Sequence, residues 1–136
     1  MFKLIKILNM GANVPEPEMR PCDPNVPLKA GTCLMYDISH NMVYPNDQIT
    51  YPSHVLIKDI NKGDNFALCY RLSSNMVFEV PLIGNPANVC GGMTLELVCD
   101  DNGAYAVSDK DGGPAFVYSI ENATKSSDKV LVTFCI

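Results

Sequence analysis

The chain has 136 residues, of which 47% are hydrophobic and 18% charged, with 9 glycines and 10 prolines. That length and apolar content rule out a disordered chain and leave room for one compact domain rather than two. Ten Lys and Arg stand against 15 Asp and Glu, a net charge of −5 and a pI near 4.8. Binding to a phosphate backbone rests on cationic neutralisation, so nucleic acid is not an expected partner. The charged fraction is below the roughly 25% of an average soluble domain. With no Trp and 7 Met besides, the surface is expected to carry uncharged and apolar groups that a neighbour covers.

Phe2 to Leu8 is apolar with Lys3 and Lys6 interspersed, which fits a short strand or two turns of helix; alternation of the β-branched Ile5 and Ile7 with Lys6 favours the strand. From Asn9 to Pro27 the character changes, with Pro15, Pro17, Pro21, Pro24 and Pro27 recurring among Glu16, Glu18, Arg20 and Asp23. Proline at that density removes backbone donors and favours extended geometry, so neither a helix nor a central strand is expected there. The segment reads as an arm, either packed on its own domain or lying across another subunit.

After Leu28 short apolar runs alternate with turn residues, the pattern of an all-β chain. Strands are expected at Thr32–Tyr36, Met42–Tyr44, Ser53–Lys58, Asn65–Leu72, Val77–Pro81, Met93–Cys99, Tyr105–Ser108, Ala115–Ile120 and Val130–Cys135. Asn61-Lys62-Gly63-Asp64, Asp100-Asp101-Asn102-Gly103 and Asp111-Gly112-Gly113 supply turn chemistry between them. Asn85 to Val89 offers at most a turn of helix. Period-two spacing puts Leu34, Tyr36, Val55, Ile57, Leu68, Tyr70, Leu95, Leu97, Val117, Leu131 and Val132 on inward faces. The expected fold is therefore all-β, a small barrel or sandwich of short antiparallel strands with an extended Pro-rich N-terminal arm. Residues 1–27 form the first strand and the arm, and residues 28–136 the β domain.

The two halves echo each other. Gly31, Leu34, Asn41 and Tyr44 are spaced as Gly92, Leu95, Asn102 and Tyr105 are, and each set runs on to a strand ending in Ile-polar-polar, at Ile60-Asn61-Lys62 and Ile120-Glu121-Asn122. If this reflects duplication, it implies two similar β units, each a glycine-led strand followed by a hairpin, curled around one core.

Six cysteines, Cys22, Cys33, Cys69, Cys90, Cys99 and Cys135, form no CxxC pair, and His40 and His54 stand at no zinc-finger spacing from them. Phe2–Leu8 lacks the pattern of a secretory signal and is too short to cross a bilayer, so the thiols are expected free and buried. Groups for catalysis are few. Ser53 and His54 are neighbours in a strand and should point to opposite faces. Asp100-Asp101 and Asp109-x-Asp111-Gly112-Gly113 lack the closing glutamate of a calcium loop. No catalytic residue, metal site or cofactor is assigned, and the chain is not expected to be an enzyme.

Leu28-Lys29-Ala30-Gly31-Thr32-Cys33-Leu34, Gly92-Met93-Thr94-Leu95, the Asp100-Asp101-Asn102-Gly103 hairpin and the closing Asp128-Lys129-Val130-Leu131-Val132-Thr133-Phe134 follow in an order that resembles the head decoration, or cement, proteins of tailed bacteriophages, in particular the small β-rich lambdoid type. The resemblance spans Leu28 to Phe134. It implies a non-enzymatic virion protein, made in the host bacterial cytoplasm, that binds the outside of the mature capsid and stabilises the shell. Its partners would be the major capsid protein lattice and further copies of itself, a trimer being one such form, with no membrane involved. Capsid contacts would come from the arm, through Val14, Pro15, Pro17 and Met19 as apolar groups and Arg20 as a polar one. The alternative is a receptor- or carbohydrate-binding β module of a virion fibre, which calls for an exposed aromatic platform.

Overall fold

In a computed structural model that describes residues 1–8 and 16–134, eleven strands carry the fold. They are β1 (Lys3–Ile7), β2 (Glu18–Pro21), β3 (Cys33–Asp37), β4 (Met42–Pro45), β5 (His54–Leu56), β6 (Phe66–Arg71), β7 (Met76–Ile83), β8 (Thr94–Asp100), β9 (Gly103–Asp111), β10 (Ala115–Ser119) and β11 (Lys129–Phe134). The all-β expectation holds, with a single 3-10 turn among the described residues at Pro86–Asn88, where the sequence offers at most a turn of helix.

Ten of the strands fall into two units of five with the same connections. In the second, β7 pairs with β11, β11 with β10, β10 with β8 and β8 with β9, all antiparallel. The ring closes where β7 runs parallel to β9, Leu82 opposite Val107 and Ile83 opposite Ser108, making a five-stranded barrel. In the first, β2 pairs with β6, β6 with β5, β5 with β3 and β3 with β4. Here the closing parallel contact is a single bridge, Cys22 to Val43. The corresponding turn residues serve the same ends: Gly31 and Gly92 sit at φ +85° and +90° ahead of β3 and β8. At Gly31 a Cβ would stand 2.7 Å from the Cβ of Met1, so close packing as well as backbone angle requires glycine.

The units share a wall but not a core. Successive side chains of a strand point to opposite faces, and in β3 and β5 both faces are covered. Cys33 and Val55 go to one cluster, with Phe2, Phe78, Leu95, Val117, Val132 and Phe134. Leu34 and Leu56 go to another, with Cys22, Leu28, Val43, Ile60, Ala67 and Cys69. The expected single core is thus two, because a strand buried on both faces feeds both. Cys33 opposite Ala104 links β3 to β9, and β1, a strand as its sequence suggests, pairs with β7.

Six of the expected inward residues, Leu34, Val55, Leu95, Leu97, Val117 and Val132, are buried. β6 has the opposite phase: Ala67 and Cys69 face the first core, while Leu68 and Tyr70 are only half-buried. Small side chains suit the narrow first barrel, and Tyr70 packs instead against the second core. Leu131 points outward between buried Val130 and Val132, and Tyr36 and Ile57 are half-buried.

Of the proline segment, Glu18–Pro21 is a strand. It pairs along its length with β6 alone, follows Pro17 and ends in Pro21, where missing donors interrupt no ladder on its other side. Cys22 is buried and Val26 packs against the first core, so this stretch is tied to its own domain. Five cysteines are free thiols: Cys22, Cys33 and Cys69 are buried, Cys99 is half-buried, and Cys90 is exposed, against the expectation of burial, because it lies in the loop after Pro86–Asn88. Cys135 lies outside the described residues.

Candidate functional site

Residues directly opposite in an antiparallel pair share a face. Met19 lies opposite Leu68 and Pro21 opposite Phe66, while Glu18 lies opposite Cys69 and Arg20 opposite Ala67. β2 therefore offers an apolar side outward and a charged side toward the first core. On the outer side Met19 is 60% and Phe66 58% exposed. Together with Leu68 they line a groove of about 380 Å³, edged by Lys58, Asp59 and Asp64. Of the residues expected to make capsid contacts, Pro17 is exposed, Met19 belongs to this apolar face and Arg20 turns to the other side of the strand; Val14 and Pro15 lie outside the described residues.

On the inner side a polar cluster forms the mouth of the first barrel. Leu34 pairs with His54 and His54 with Arg71, and Leu56 and Cys69, two residues along on the same faces, belong to the core beneath. The Glu18 carboxylate gathers the cluster. Arg20 donates to its Oε2 from Nε at 3.0 Å and from Nη2 at 3.0 Å. Arg71 Nε lies 3.3 Å from Oε1, and His54 Nε2 lies 3.3 Å from Oε2. The Arg20 guanidinium also stands over the Tyr36 ring, 5.6 Å from its centroid. Above lies an open cleft of about 280 Å³ lined by Arg20, Tyr36, Ser53, His54, Arg71 and Leu72.

Ser53 and His54 do meet, contrary to the expectation of opposite faces: Ser53 Oγ is 2.7 Å from His54 Nδ1. Ser53 precedes β5, so strand alternation does not bind it. A carboxylate only accepts, so the hydrogen of the neutral ring belongs on Nε2, facing Glu18, and Nδ1 accepts from the serine hydroxyl. His54 is 3% exposed, and burial, outweighing the pull of Glu18, holds its pKa below the ordinary imidazole value. Partial burial raises the Glu18 pKa, but hydrogen bonds from Arg20 and His54 with the charges of Arg71 and Arg20 bring it below the ordinary carboxylate value.

The register makes the two barrels comparable position by position. Leu95 pairs with Ala115 and Ala115 with Phe134, as Leu34 pairs with His54 and His54 with Arg71. Two and four residues before Phe134, Val132 faces Phe78 and Val130 faces Val80; before Arg71, Cys69 faces Glu18 and Ala67 faces Arg20. Glu18, Arg20, His54 and Arg71 therefore occupy the places of Phe78, Val80, Ala115 and Phe134, all four of which are buried. In the second barrel the Phe78 and Phe134 rings meet edge to face at 5.8 Å, where the first has an ion pair and an open cleft. Sequence reading found Met19 and Arg20 but not Glu18, His54, Phe66, Leu68 or Arg71. The matched glycines were the signal that the halves could be aligned and their differences inspected.

No family profile and no curated protein matches the chain in sequence. Among solved structures it is similar to the head fibre gp8.5 N base of bacteriophage phi29, with a TM-score of 0.54 and 16% identity, over 90% of this chain and 95% of that one. A likeness at that identity is one of fold, and it spans both barrels.

Proposed function

We propose that the chain is a non-enzymatic structural protein of a phage virion, held on the outer surface of the head shell by the apolar face of the β2–β6 ribbon, and that it stabilises the shell. The observation that carries this reading is the likeness, across nearly the whole of both chains, to a base segment of a phage head fibre. The exposed Met19 and Phe66 above Leu68 supply the apolar contact such a seat needs. A net charge of −5 suits the outside of a shell better than its DNA-facing wall, where like charges repel. A protein that binds only the assembled lattice stabilises it by mass action, and many copies multiply the effect. The Ser53–His54–Glu18 series is read as part of the barrel wall, since the ring that joins them is enclosed.

Co-sedimentation with purified expanded heads tests the seat. Met19→Asp with Phe66→Asp should abolish binding and leave the fold intact, and decorated heads should disrupt at higher temperature than bare ones. Unchanged saturation by the double variant would refute the β2–β6 seat. That the solved neighbour is itself a fibre base favours a second reading, in which the chain is the head-proximal module of a fibre. It would then bind heads through the same face without raising their disruption temperature.

A further inference from the structure

We propose that the mouth of the first barrel is a binding site for a small ligand bearing one carboxylate, such as a hexuronate sugar or the side chain of an acidic amino acid. The site is separate from the outward apolar face of β2 on which the proposed head binding rests. Three observations lead to it.

The first is the contrast between equivalent positions. The second barrel closes this end with Phe78, Val80, Ala115 and Phe134, whereas the first holds Glu18, Arg20, His54 and Arg71 around a cleft of about 280 Å³. An end that this fold can fill with hydrocarbon has instead been left open and charged. A barrel mouth with apolar walls and a few convergent polar groups is a common setting for a ligand.

The second is charge. Arg20 and Arg71 are cationic, Glu18 is anionic and His54 is neutral, so the cluster is left with one positive charge in a chain whose net charge is −5. One uncompensated cation matches one carboxylate. A phosphate dianion would bring excess negative charge beside Glu18.

The third is geometry. Glu18 engages Arg71 through Nε, and the two Nη groups have no hydrogen-bond partner among the described residues. Arg71 is exposed at the cleft, so the planar edge of its guanidinium is open to the two-point contact that suits a carboxylate. Glu18 and the Tyr36 ring position Arg20 beside it. Tyr36 and Leu72 supply apolar wall for the body of the ligand, and Ser53 a hydroxyl.

The test is titration of the full chain, followed by NMR shift changes and calorimetry, with four probes: glucuronate, Nα-acetyl-glutamate α-amide, glucose and inorganic phosphate. One or both carboxylates should bind saturably, with shifts confined to Tyr36, Ser53, Arg71 and Leu72, and the stronger of the two identifies the source. Glucose should not bind, and phosphate should bind more weakly than the better carboxylate. Arg71→Leu should weaken carboxylate binding at least tenfold, with Arg71→Lys intermediate, because lysine keeps the charge and loses the fork. Glu18→Gln removes the one negative charge of the cluster and should shift preference toward phosphate. Failure of both carboxylates, equal binding of glucose, or unchanged affinity in Arg71→Leu overturns the proposal. None of these outcomes bears on head binding, which is read by co-sedimentation.

Discussion

The two barrels share their connections and differ in what fills them. Strands of 8, 7, 9, 5 and 6 residues build the second barrel, and strands of 4, 5, 4, 3 and 6 build the first. Longer strands enclose more apolar surface, and the second core holds Phe78 and Phe134, joined by Phe2 from the N-terminal segment. The first core contains no phenylalanine, and its end is an open cleft lined by the hydrogen bonds and ion pairs around Glu18. One topology is thus stabilised by hydrocarbon at one copy and carries polar groups at the other. The hydrocarbon-filled copy also supports its neighbour, since Cys33 and Val55 of the first unit lie in the second core.

The largest contrast between the barrels is expected at the matched pair Phe134 and Arg71. Phe134→Ala should destabilise the protein by about 3–5 kcal/mol, the range for truncating a buried aromatic ring. Arg71→Ala, at an exposed surface ion pair, should cost no more than about 1 kcal/mol. Equal losses in urea melts would mean that the two barrel ends are not built differently.

The leucines beneath those ends come next. Leu95→Ala and Leu34→Ala each remove a fully buried side chain and should cost about 2–5 kcal/mol. Leu34 should fall at the lower end, because the shorter-stranded first barrel can collapse further around the gap. The same urea melts check both values.

A smaller effect is expected with pH. Burial lowers the His54 pKa, so the unfolded chain takes up this proton at higher pH than the folded chain does. Stability from this source is full above the unfolded value of 6.5 and is lost as pH falls below it, until folded His54 also protonates. The lowered Glu18 pKa removes further stability in the same direction, as pH falls through the carboxylate range. Thermal melts between about pH 7 and about pH 5 should show the histidine part. His54→Gln, which hydrogen-bonds without titrating, should flatten it, whereas a slope unchanged in His54→Gln would assign it to other groups.

The smallest effect is on thiol reactivity in the native state. Among the five described cysteines Cys90 is the exposed one and should alkylate first of these. Burial raises the pKa of Cys22 and Cys33 and pushes Cys69 up to about 11, so these three should react only on unfolding. Mass spectrometry of briefly alkylated protein reads the order, and early labelling of Cys69 would show that the first barrel opens readily.

Much of the strand inventory was legible in the sequence, because period-two alternation and Asn, Asp and Gly turns are local signals. The spacing shared by Gly31, Leu34, Asn41 and Tyr44 with Gly92, Leu95, Asn102 and Tyr105 also pointed to two like units, and the pairings of β3–β4 and β8–β9 bear that out. β2 was not legible. Its prolines argue for extended backbone and against a central strand, and only the available edge of β6 makes it an edge strand. The phase of β6 was hidden for a related reason: Ala67, Leu68, Cys69 and Tyr70 are apolar on both faces, so alternation alone does not say which face is inward.

The candidate sites divide in the same way. Met19 and Arg20 stood out locally as the apolar and cationic members of a proline-rich run, but their assignment to opposite faces needed a partner strand. Glu18, His54 and Arg71 come from three strands far apart in the chain, and no spacing in the sequence connects them. The all-β class, the turns and the repeated plan are written in the chain locally, since backbone preference and side-chain alternation act between near neighbours. Tertiary structure alone decided that there are two cores, that β2 joins the first barrel, and that one barrel mouth is filled while the other is open. Those outcomes depend on pairing between distant strands, where register chooses which side chains meet.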